Sequence, residues 1–519
     1  MVGTVVECVL QDVWSFGSRL SNAPAIWGVR HREGYRGSMS RPSDPQSVEF
    51  LYRRCAEQLA ARGQDHVLRW WDDLSGSKRE HLLSEIESIP WSDLDPLVET
   101  HIRNKPQDAE CANLEPAVVF PCQPDAANAA LYRDAVVLGD ELIRAGKVAA
   151  FCVAGGQGTR LGFEGPKGAV TITPVREKTL FQLFAETIVA VRKRYGVGIR
   201  WYIMTNPGNH KQTAGFLEDH EFFGLPPEDV VLFSQGMLPS FDLDGKILLE
   251  DKHRLALAPD GHGGSLKSLV VSGALKDMES RGIEIISYFQ VDNPLVKPFD
   301  PLFIGLHAKT GSEMSTKVAS KVDDLERVGN VCMREGRVVV VEYSDFPSDL
   351  AHSKNSDGSR MFNVGNLAIH LLEVGFVDRI IARNFELPYR RAEKTVTWMD
   401  ENGFQRTPPV PNAVKLEMFV FDALPLAANP LLLEIDRAEE FSPVKNAKGV
   451  DSVESAIRDQ IRRAARWLDG AGVRVPRKPD GEPDVVIEVA PSYARNADDV
   501  RRRVTRPPEL YSGETIYIS

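Results

Sequence analysis

The sequence alternates short apolar runs with amphipathic stretches through its central part, and this alternation restricts the fold more than any other feature. The apolar runs are short enough to be strands, and helical patterns such as Leu180–Tyr195 and Leu266–Arg281 separate them. Short buried strands separated by helices are typical of a mostly parallel sheet with both faces covered. The pattern therefore predicts an α/β domain, with strands at Val148–Val153, Arg200–Met204, Val230–Ser234, Ile283–Val291, Ser315–Val322 and Val338–Tyr343.

The length of 519 residues exceeds what one ordinary hydrophobic core supports, so we expect more than one domain. Residues 1–45 are rich in Gly, Ser, Arg and Pro without periodicity, which predicts a disordered tail or a start codon assigned too early. Residues 46–115 carry apolar side chains at helical spacing and predict an N-terminal helical module. The α/β domain is expected over 116–440, and a small C-terminal α/β domain over 441–519.

Charge, cysteine usage and hydropathy exclude several classes of protein. Lys and Arg total 62 against 73 Asp and Glu, and the net charge of −11 argues against a general nucleic-acid binder. The six cysteines are scattered without metal-binding spacing, which indicates free thiols in a reducing compartment. No apolar run has the length that crosses a bilayer, and the N-terminus lacks the features of a signal peptide. We therefore expect a cytoplasmic protein that binds neither nucleic acid nor membrane.

The clearest local motif follows the first predicted strand of the α/β domain. The chain there reads Gly155-Gly156-Gln157-Gly158-Thr159-Arg160-Leu161-Gly162 and continues to Pro166-Lys167. A strand that runs into a glycine-rich turn presents backbone N–H groups to an anion, and Arg160 and Lys167 add positive charge beside them. A dinucleotide fingerprint starting at Gly156 fails because Leu161 stands at its third glycine position, and a P-loop fails because Lys167 follows Pro166. The motif therefore predicts a phosphate site of another kind.

A second polar group with a defined place is Asp292, which follows the apolar strand Ile283–Val291. A carboxylate at the C-terminal end of a parallel strand is well placed to hold a divalent cation, although Asp also serves often as a turn or helix cap. The zinc motif H-E-x-x-H is excluded because Gly224 stands where its second His would be, and no serine elbow G-x-S-x-G is present. The sequence thus offers a cation site but no hydrolytic centre.

The run from Gly155 to Lys167 resembles the nucleotide-binding signature of sugar nucleotidyltransferases. Its order Ala-Gly-Gly-Gln-Gly-Thr-Arg-Leu-Gly, with Pro-Lys-Gly close behind, is similar to the eukaryotic-type UDP-N-acetylhexosamine pyrophosphorylases of the UDP-sugar pyrophosphorylase type 1 family. The similarity extends from about Gln58 to Val489 and includes the segments Gln235–Pro239 and Phe441–Asn446. The resemblance implies a Rossmann-like, GT-A-like nucleotide-diphospho-sugar transferase domain with a mixed, mostly parallel sheet over 116–440.

The resemblance also implies roles for individual residues. Nucleotide contacts are expected from Gly155, Gly156, Gly158, Thr159, Gln235, Gly261 and His262. Sugar contacts are expected from Glu342, Asn363, Gly365, Asn366, Phe419 and Phe421, and Lys415 and Glu417 continue the family pattern. The expected catalytic residues, which grip the phosphates, are Arg160, Lys167 and Lys445. Asp292 is expected to hold Mg²⁺, with Mn²⁺ as an alternative.

The implied activity is uridylyltransfer. An oxygen of N-acetylglucosamine 1-phosphate attacks the α-phosphate of UTP in line with the departing pyrophosphate, so the reaction needs alignment and charge stabilisation rather than a protein nucleophile. The expected partners are UTP, an N-acetylhexosamine 1-phosphate, the UDP-sugar and pyrophosphate. The expected assembly is a monomer or a weak homo-oligomer.

One departure from the family pattern leaves alternatives open. The acetylhexosamine enzymes usually carry Asn where this chain has His262, whereas glucose-type and broad-specificity UDP-sugar pyrophosphorylases carry His. A UDP-glucose, UDP-galactose or broad-specificity enzyme therefore stands beside the N-acetylhexosamine reading. A non-catalytic nucleotide-sugar sensor is a third reading. The presence of Arg160, Lys167, Asp292 and Lys445 together argues against it, because a sensor does not need to stabilise a leaving pyrophosphate.

Overall fold

The computed structural model of the protein describes residues 6–8, 45–104, 113–382 and 387–519. Helices occur along all but the first of these segments. The α-helices are α1 (Pro45–Ala60), α2 (Gly76–Glu87), α3 (Trp91–Leu97), α4 (Ala129–Arg144), α5 (Leu180–Tyr195), α6 (Pro207–Asp219), α7 (Gly264–Val271), α8 (Ala274–Ser280), α9 (Pro301–Lys309), α10 (Ser348–Ala351), α11 (Val374–Ala382), α12 (Arg437–Glu440), α13 (Val453–Gly470) and α14 (Ala497–Arg503). Within the described residues, no helix combines the length and the apolar character that a membrane crossing requires.

The strands lie between these helices and in several short hairpins. They are β1 (Val6–Cys8), β2 (Leu114–Pro116), β3 (Val148–Val153), β4 (Trp201–Thr205), β5 (Val230–Ser234), β6 (Met237–Pro239), β7 (Leu249–Asp251), β8 (Arg254–Leu255), β9 (Leu257–Pro259), β10 (Ile285–Gln290), β11 (Met314–Ser320), β12 (Asn330–Arg334), β13 (Arg337–Val341), β14 (Val364–Glu373), β15 (Tyr389–Lys394), β16 (Trp398–Met399), β17 (Gln405–Arg406), β18 (Ala413–Met418), β19 (Leu431–Glu434), β20 (Val486–Val489) and β21 (Thr515–Ile518). Each predicted strand of the α/β domain has a counterpart, displaced by no more than a few residues at either end.

The central sheet has a parallel half and a largely antiparallel half. Its main path runs β13-β12-β14-β10-β3-β4-β5, and β10, β3, β4 and β5 are parallel to one another. Strand β14 is antiparallel to β10 and to β11, and β12 pairs with β13 in the same sense. The predicted fold class, an α/β domain built on a mixed sheet, is confirmed. The parallel half matters for function because the carboxyl ends of parallel strands meet along one edge.

Alternate residues of the parallel strands feed two separate hydrophobic clusters, one on each face of the sheet. Phe151 and Tyr202 lie in one cluster, and Cys152 and Ile203, their neighbours in sequence, lie in the other. This follows from the two-residue period of a strand, and burial on both faces explains why β3 reads as a continuous apolar run. Helices cover both clusters, as the alternation in the sequence predicts.

One predicted helix is wrong in its extent. The stretch Leu266–Arg281 was expected to be a single helix, but α7 ends at Val271 and α8 begins at Ala274. Gly273 lies between them with a φ of +82°, in the left-handed region that breaks an α-helix and that glycine adopts without steric cost. The apolar periodicity continues across the break, which is why the sequence alone does not reveal it.

The N-terminal helices share a core with the sheet. Leu59 and Leu82, from α1 and α2, belong to the same hydrophobic cluster as Phe151 of β3. Polar contacts add to this packing: the Gln64 amide donates to the Gly245 carbonyl at 2.8 Å, and its oxygen accepts from the Ile247 N–H at 2.9 Å. The chain from 45 to 103 is thus helical, as the pattern predicts, and it is anchored on the α/β domain.

The C-terminal segment has a hydrophobic cluster of its own, built from α13, β20, α14 and β21. Strand β21 pairs in parallel with β20 and also with β1, the three-residue strand near the N-terminus. Apart from β1 and Pro45, the predicted N-terminal tail 1–45 lies outside the described residues. The boundaries 46–115, 116–440 and 441–519 remain our proposal for the domains.

Candidate active site

The glycine-rich loop after β3 is held in place mainly through its own main chain. The Ala154 N–H donates to the Met204 carbonyl at 2.7 Å, which continues the pairing of β3 with β4. The Asn209 amide donates to the carbonyls of Ala154 and Gly156 at 3.0 and 3.2 Å, and the Asn206 amide donates to the Gly155 carbonyl. Within the described residues, no hydrogen-bond acceptor takes the N–H groups of Gly155 and Gly156. The loop therefore keeps these donors for an anion.

Asn209 of α6 and Asn206, the N-cap of this helix, thus hold the loop in place, and neither is among the residues predicted for the site. Asn206 is the N-cap of α6 and forms a capping box with Asn209, with Pro207 as the first helical residue. An Asn followed by Pro is a recognised helix start, so the helix boundary could be predicted from the sequence. The contact with a loop about 50 residues earlier could not, because it depends on β3 and β4 lying side by side.

The other predicted residues of the loop lie away from the cleft that the loop borders. The Gly158 N–H donates to the Gly165 carbonyl at 2.9 Å, and a Cβ on Gly158 would approach the Phe163 ring to 2.7 Å. Thr159 and Arg160 are exposed in a short 3₁₀ turn, and neither lines the cleft. Gly158 therefore has a packing reason to be glycine, and a role for Arg160 on the phosphates stays a prediction.

A cleft of about 320 Å³ opens at the carboxyl ends of β3 and β10. It brings together most of the predicted nucleotide residues from segments far apart in the sequence. Its lining includes Gly155, Gly156, Lys167, Gln235, Gly261, His262, Asp292, Lys415, Glu417 and Phe419. This convergence at the open edge of parallel strands is the arrangement in which α/β sheets bind nucleotides.

Lys167 and Asp292 meet in this cleft. The Lys167 Nζ lies 3.7 Å from Asp292 Oδ2 and donates to the Val444 carbonyl at 3.3 Å. The Val444 N–H in turn donates to the Asp292 carbonyl at 2.8 Å. A cation from the glycine-rich loop, a carboxylate from the end of β10 and the segment before Lys445 are therefore tied to one another.

The segment that carries Lys445 is fixed to the strand end through Asn293. The Asn293 amide donates to the Glu440 carbonyl at 2.8 Å, and its oxygen accepts from the Ser442 N–H at 3.1 Å. The exposed side chain of Lys445, together with Asp292, Asn293 and Asn366, lines a smaller pocket of about 50 Å³. Asp292 therefore borders both cavities, with the glycine-rich loop lining the larger cleft and Lys445 lining the smaller pocket.

Gln235 and the second glycine-rich turn form another wall of the cleft. The Gln235 amide donates to Asp260 Oδ1 at 3.2 Å, and burial raises the pKa of Asp260 to about 6. A Cβ on Gly155 would lie 2.6 Å from Gln235 Oε1, so the side chain packs directly on the first loop. Gly261, with a φ of +84°, would place a Cβ 2.3 Å from the Met418 carbonyl oxygen. Both glycine-rich turns therefore need glycine where other chain segments come close.

The His262 ring, which lines the cleft, is held by a hydrogen bond and by aromatic neighbours. Its Nδ1 accepts the Val420 N–H at 3.1 Å, which assigns the proton of the neutral ring to Nε2. The ring stacks on Phe419 with centroids 5.1 Å apart and planes 13° apart, and it also contacts Phe421. Burial, reinforced by the charge of Arg390, lowers the pKa of His262 to about 4. His262 is therefore neutral at physiological pH.

Arg390 supports the two phenylalanines and was missed by the sequence analysis. Its guanidinium lies 5.4 Å from the Phe419 ring centroid and 5.9 Å from that of Phe421. It forms a bidentate ion pair with Asp422, at 3.1 Å from Nε and 2.7 Å from Nη2. No signal in the sequence links a residue of β15 to these aromatic side chains, because the link exists only after β15 pairs with β18.

The residues predicted to bind the sugar separate into two groups. Glu342 and Asn366 lie together, since a Cβ on Gly329 would be 3.4 Å from Glu342 Oε1 and 3.8 Å from the Asn366 Cβ. Burial raises the pKa of Glu342. Asn363 instead donates to Ser320 Oγ at 3.1 Å and lines neither of the two cavities. A Cβ on Gly365 would lie 2.9 Å from Val328, so this glycine serves packing.

Lys415 and Glu417 border the cleft from β18. They are two residues apart on a strand and therefore on one face, while Leu416 and Met418 between and beside them are buried. Burial lowers the pKa of Lys415. The alternation of charged and apolar residues along this segment was a usable signal for a half-buried strand facing a ligand.

The residues around Asp292 fit a magnesium ion that one carboxylate and the phosphates of the substrates would hold together. Within the described part of the chain, no group of three or more His, Cys, Asp or Glu side chains is arranged to hold a metal. Mg²⁺ commonly binds through one or two carboxylates and completes its shell with phosphate oxygens and water. A single carboxylate that faces a cleft beside an anion-binding loop matches that requirement.

Comparison with known proteins agrees with this geometry. The model of the UTP–glucose-1-phosphate uridylyltransferase family matches residues 130–519. A human protein, UDP-N-acetylhexosamine pyrophosphorylase-like protein 1, is 37% identical over 466 residues, which cover 84% of this chain and 91% of that protein. The UDP-N-acetylglucosamine pyrophosphorylase of Saccharomyces cerevisiae is 34% identical over 454 residues, which cover 83% of this chain and 93% of the yeast protein.

Solved structures extend the comparison to the fold. The uridine diphosphate N-acetylglucosamine pyrophosphorylase of Trypanosoma brucei superimposes with a TM-score of 0.76 over 90% of this chain and 98% of that chain, at 24% identity. The superposition shows a common fold, and the family model and the two relatives carry the assignment beyond it. With its glycine-rich loop, its paired Lys167 and Asp292 and its matched length, the chain belongs to the UTP–glucose-1-phosphate uridylyltransferase family.

Proposed function

We propose that the protein transfers the uridylyl group of UTP to N-acetylglucosamine 1-phosphate, forming UDP-N-acetylglucosamine and pyrophosphate. The observation that carries this proposal is the meeting of Lys167 and Asp292 at 3.7 Å beside the free N–H groups of Gly155 and Gly156. The names of the human, yeast and other relatives, which describe UDP-N-acetylhexosamine or UDP-N-acetylglucosamine pyrophosphorylases, support the same reaction.

The residues of the cleft would supply alignment and charge. The backbone N–H groups of the glycine-rich loop would bind phosphate oxygens of UTP, and Lys167 would stabilise the charge that develops on the α-phosphate. Gln235 and the turn at Gly261 would hold the uracil against the loop. Lys445, whose pocket shares Asp292 with the cleft, would receive the phosphate of the incoming sugar, so the two anions would meet beside one carboxylate.

A divalent cation would be held by Asp292 together with phosphate oxygens of the substrates. When bound, Mg²⁺ would supply charge neutralisation between the two phosphates, and Mn²⁺ could replace it. Lys167 would keep the Asp292 carboxylate turned toward the cleft, and the Val444 N–H would fix the main chain of Asp292. This chain therefore contributes position and charge, and it needs no nucleophile of its own.

The proposed sugar preference rests on Glu342 and Asn366, which lie close together, and on Phe419, which lines the cleft. An amide and a carboxylate side by side can pair with an acetamido group and with sugar hydroxyls, which supports an N-acetylhexosamine. His262, which favoured glucose-type or broad-specificity enzymes, uses its Nδ1 for the Val420 N–H. Because Nδ1 is engaged in this way, the glucose-type or broad-specificity alternative is weakened. The free cysteines Cys55, Cys122, Cys152 and Cys332 are consistent with the cytoplasm as the proposed location.

The test is pyrophosphate release with UTP and Mg²⁺ and a panel of sugar 1-phosphates: N-acetylglucosamine, N-acetylgalactosamine, glucose and galactose. We expect release with the two acetamido sugars at a kcat/KM at least about 10-fold above that for glucose 1-phosphate, the discrimination expected when a buried polar group loses its partner. Equal turnover of glucose 1-phosphate would overturn the sugar assignment but keep the uridylyltransfer. Absence of release with every sugar would overturn the reaction itself.

A further inference from the structure

Another cavity, which we call the junction cavity, lies between the α/β domain and the C-terminal segment. It has a volume of about 180 Å³. Its walls come from the loop 294–301 that leads from Asp292 to α9, from α5, from α13, and from the chain that follows β20. It shares no lining residue with the cleft at Lys167, so it is a separate space.

Four cationic side chains line the junction cavity, against two carboxylates. The cations are Arg194, Lys297, Arg463 and Arg495, and the carboxylates are Asp300 and Glu488. Both carboxylates are engaged outside the cavity wall. Asp300 pairs with Lys317 at 2.6 Å, and Glu488 accepts the N–H groups of Val175 and Arg176 at 2.9 and 2.8 Å. The cations that line the cavity therefore outnumber the lining carboxylates, and both of these carboxylates already have partners.

Two of the arginines carry most of this excess. Arg194 pairs with Asp499 at 2.9 Å, and Lys297 lies 3.7 Å from Glu440. Arg463 instead donates from Nη1 to two main-chain carbonyls, and Arg495 packs its guanidinium 5.9 Å from the centroid of the Tyr195 ring. Among the described residues, neither Arg463 nor Arg495 forms a side-chain ion pair with a carboxylate.

Arg463 is desolvated without forming a direct ion pair with any residue that the structure describes. Burial lowers the pKa of its guanidinium to about 10, although the charges of Glu439 and Glu440 act in the opposite direction. A desolvated guanidinium that meets only carbonyls and the ring of Trp467, 4.9 Å away, is a strong donor for an oxyanion. Such an anion would provide the direct ion pair that Arg463 lacks within the described residues.

The carbonyls that Arg463 binds connect the junction cavity to the catalytic segments. They belong to Leu295, at 3.2 Å, and Glu439, at 3.1 Å. Leu295 lies three residues after Asp292, and Glu439 precedes Lys445 in the segment that Asn293 fixes. A ligand bound to Arg463 would therefore contact the side chain that donates hydrogen bonds to both segments.

We propose that the junction cavity binds a small phosphate-bearing anion between Arg463 and Arg495. A planar guanidinium matches the geometry of phosphate oxygens, and two of them can take one dianion from two sides. The volume accommodates free phosphate and leaves room for a small organic group attached to it. The proposal concerns a site outside the catalytic cleft and does not depend on the reaction proposed for that cleft.

The test is isothermal titration calorimetry of the full chain with inorganic phosphate and, separately, with glucose 6-phosphate. Lys167→Ala serves as the background, because it weakens phosphate binding in the catalytic cleft. We expect this background to bind one of the two probes with a stoichiometry of one. Tighter binding of glucose 6-phosphate would identify a phosphate ester as the ligand class, and tighter binding of phosphate would identify the free anion.

The decisive comparison adds Arg495→Gln to the background. We expect it to weaken binding by at least about 10-fold, the loss of one charge-assisted hydrogen bond, with an unchanged thermal midpoint. The matched control is Arg503→Gln, an exposed arginine of α14 that does not line the cavity. Arg463→Lys, which keeps the charge but not the planar fork, should give an intermediate affinity. No binding in the background, or equal binding with and without Arg495, would overturn the proposal.

Discussion

Two walls of the catalytic cleft are built on different principles. The loop wall consists of Gly155, Gly156 and Lys167, and its main chain is held by hydrogen bonds to the main chain of β4 and to the side chains of Asn206 and Asn209. The aromatic wall consists of His262 and Phe419, with Phe421 and Arg390 packed against them, and side-chain packing and one ion pair hold it. A substitution in the loop wall can therefore remove a charge without displacing the surrounding main chain. A substitution in the aromatic wall also moves its neighbours.

The difference suits the loop wall to the reaction and the aromatic wall to the choice of sugar. On the proposed function, the main-chain donors and the paired lysine would recognise phosphate, which every substrate of the reaction carries. The packed side chains would recognise the shape of one sugar, and relatives could replace them without losing the reaction. We therefore expect loop-wall variants to lose turnover with intact stability, and aromatic-wall variants to lose smaller amounts of both affinity and stability.

The largest effect is expected from Lys167→Ala. Removing the cation that faces the α-phosphate should lower kcat for pyrophosphate release by about 100- to 1,000-fold, as for other groups that stabilise transition-state charge. The KM for the sugar 1-phosphate should change by less than about threefold, because the sugar is bound elsewhere. Steady-state kinetics measure both constants, and Lys193→Ala, an exposed lysine of α5, is the control. Near-normal turnover of Lys167→Ala would refute the assigned role.

Asp292→Asn is expected to come next. The amide keeps the size of the side chain but loses the charge that a divalent cation requires, so kcat should fall by about 100-fold at a fixed magnesium concentration. A magnesium titration should show half-maximal activity shifted to higher concentration. Asp219→Asn, on the exposed end of α6, controls for a general loss of negative charge. An unchanged magnesium dependence would mean that the cation binds elsewhere.

Phe419→Ala tests the aromatic wall. The ring stacks on His262 and carries the Arg390 guanidinium, so its removal should raise the KM for N-acetylglucosamine 1-phosphate by about 10-fold. It should also lower the free energy of unfolding by about 2 kcal/mol, because part of the ring is buried against its neighbours. Phe404→Ala removes a ring that is 62% exposed and provides the matched control. A fall in kcat alone, with KM and stability unchanged, would contradict the division between the two walls.

The smallest effect is expected from His262→Asn. An asparagine oxygen can accept the Val420 N–H as Nδ1 of His262 does, so kcat/KM for each sugar should change by less than about threefold. The pH dependence of stability offers a second measurement. The pKa of His262 is about 4 in the folded chain, below its ordinary value near 6.5.

The sign of that pH dependence follows from proton uptake. Between pH 6.5 and 4 the unfolded chain protonates this imidazole while the folded chain does not, so His262 lowers stability as the pH falls through this window. The thermal midpoint of His262→Asn should therefore decline less than that of the wild type between pH 6.5 and 4.5. Parallel curves for the two proteins would show that His262 is not held neutral, and a large shift in sugar preference would revive the broad-specificity reading.

The sequence predicts the loop wall well because its information is local. A strand, its glycine-rich turn and the following Lys167 are contiguous, and the places of Asp292 and Lys445 follow from the same motif order. The geometry brings Lys167, Asp292 and the Lys445 segment together, although the structure leaves Arg160 exposed and Asn363 directed at Ser320. The roles expected of those two residues stay predictions, because a motif gives a position in the sequence but not the direction of a side chain.

The aromatic wall could be predicted only in part. Phe419 and Phe421 stand in an alternating pattern, but Arg390 reaches them from a strand whose pairing partner begins some 20 residues later. The stacking of His262 on Phe419 likewise depends on two turns that meet only in the folded chain. The strands and helices around the sheet could be predicted from periodicity, and the break at Gly273 could not, because the apolar pattern continues through it.

The hydrogen bond from the Ser442 N–H to the Asn293 side chain also bears on when the site can form. The two residues are 149 positions apart in the chain, so a ribosome adding about 5 to 20 residues per second needs roughly 7 to 30 s between them. During that interval the glycine-rich loop and Asp292 have already been made, but the Lys445 segment and helix α13 behind it have not. A nascent chain therefore carries the glycine-rich loop and Asp292 before it carries the segment that Asn293 fixes, and the contact proposed between Lys445 and the sugar phosphate must wait for that segment.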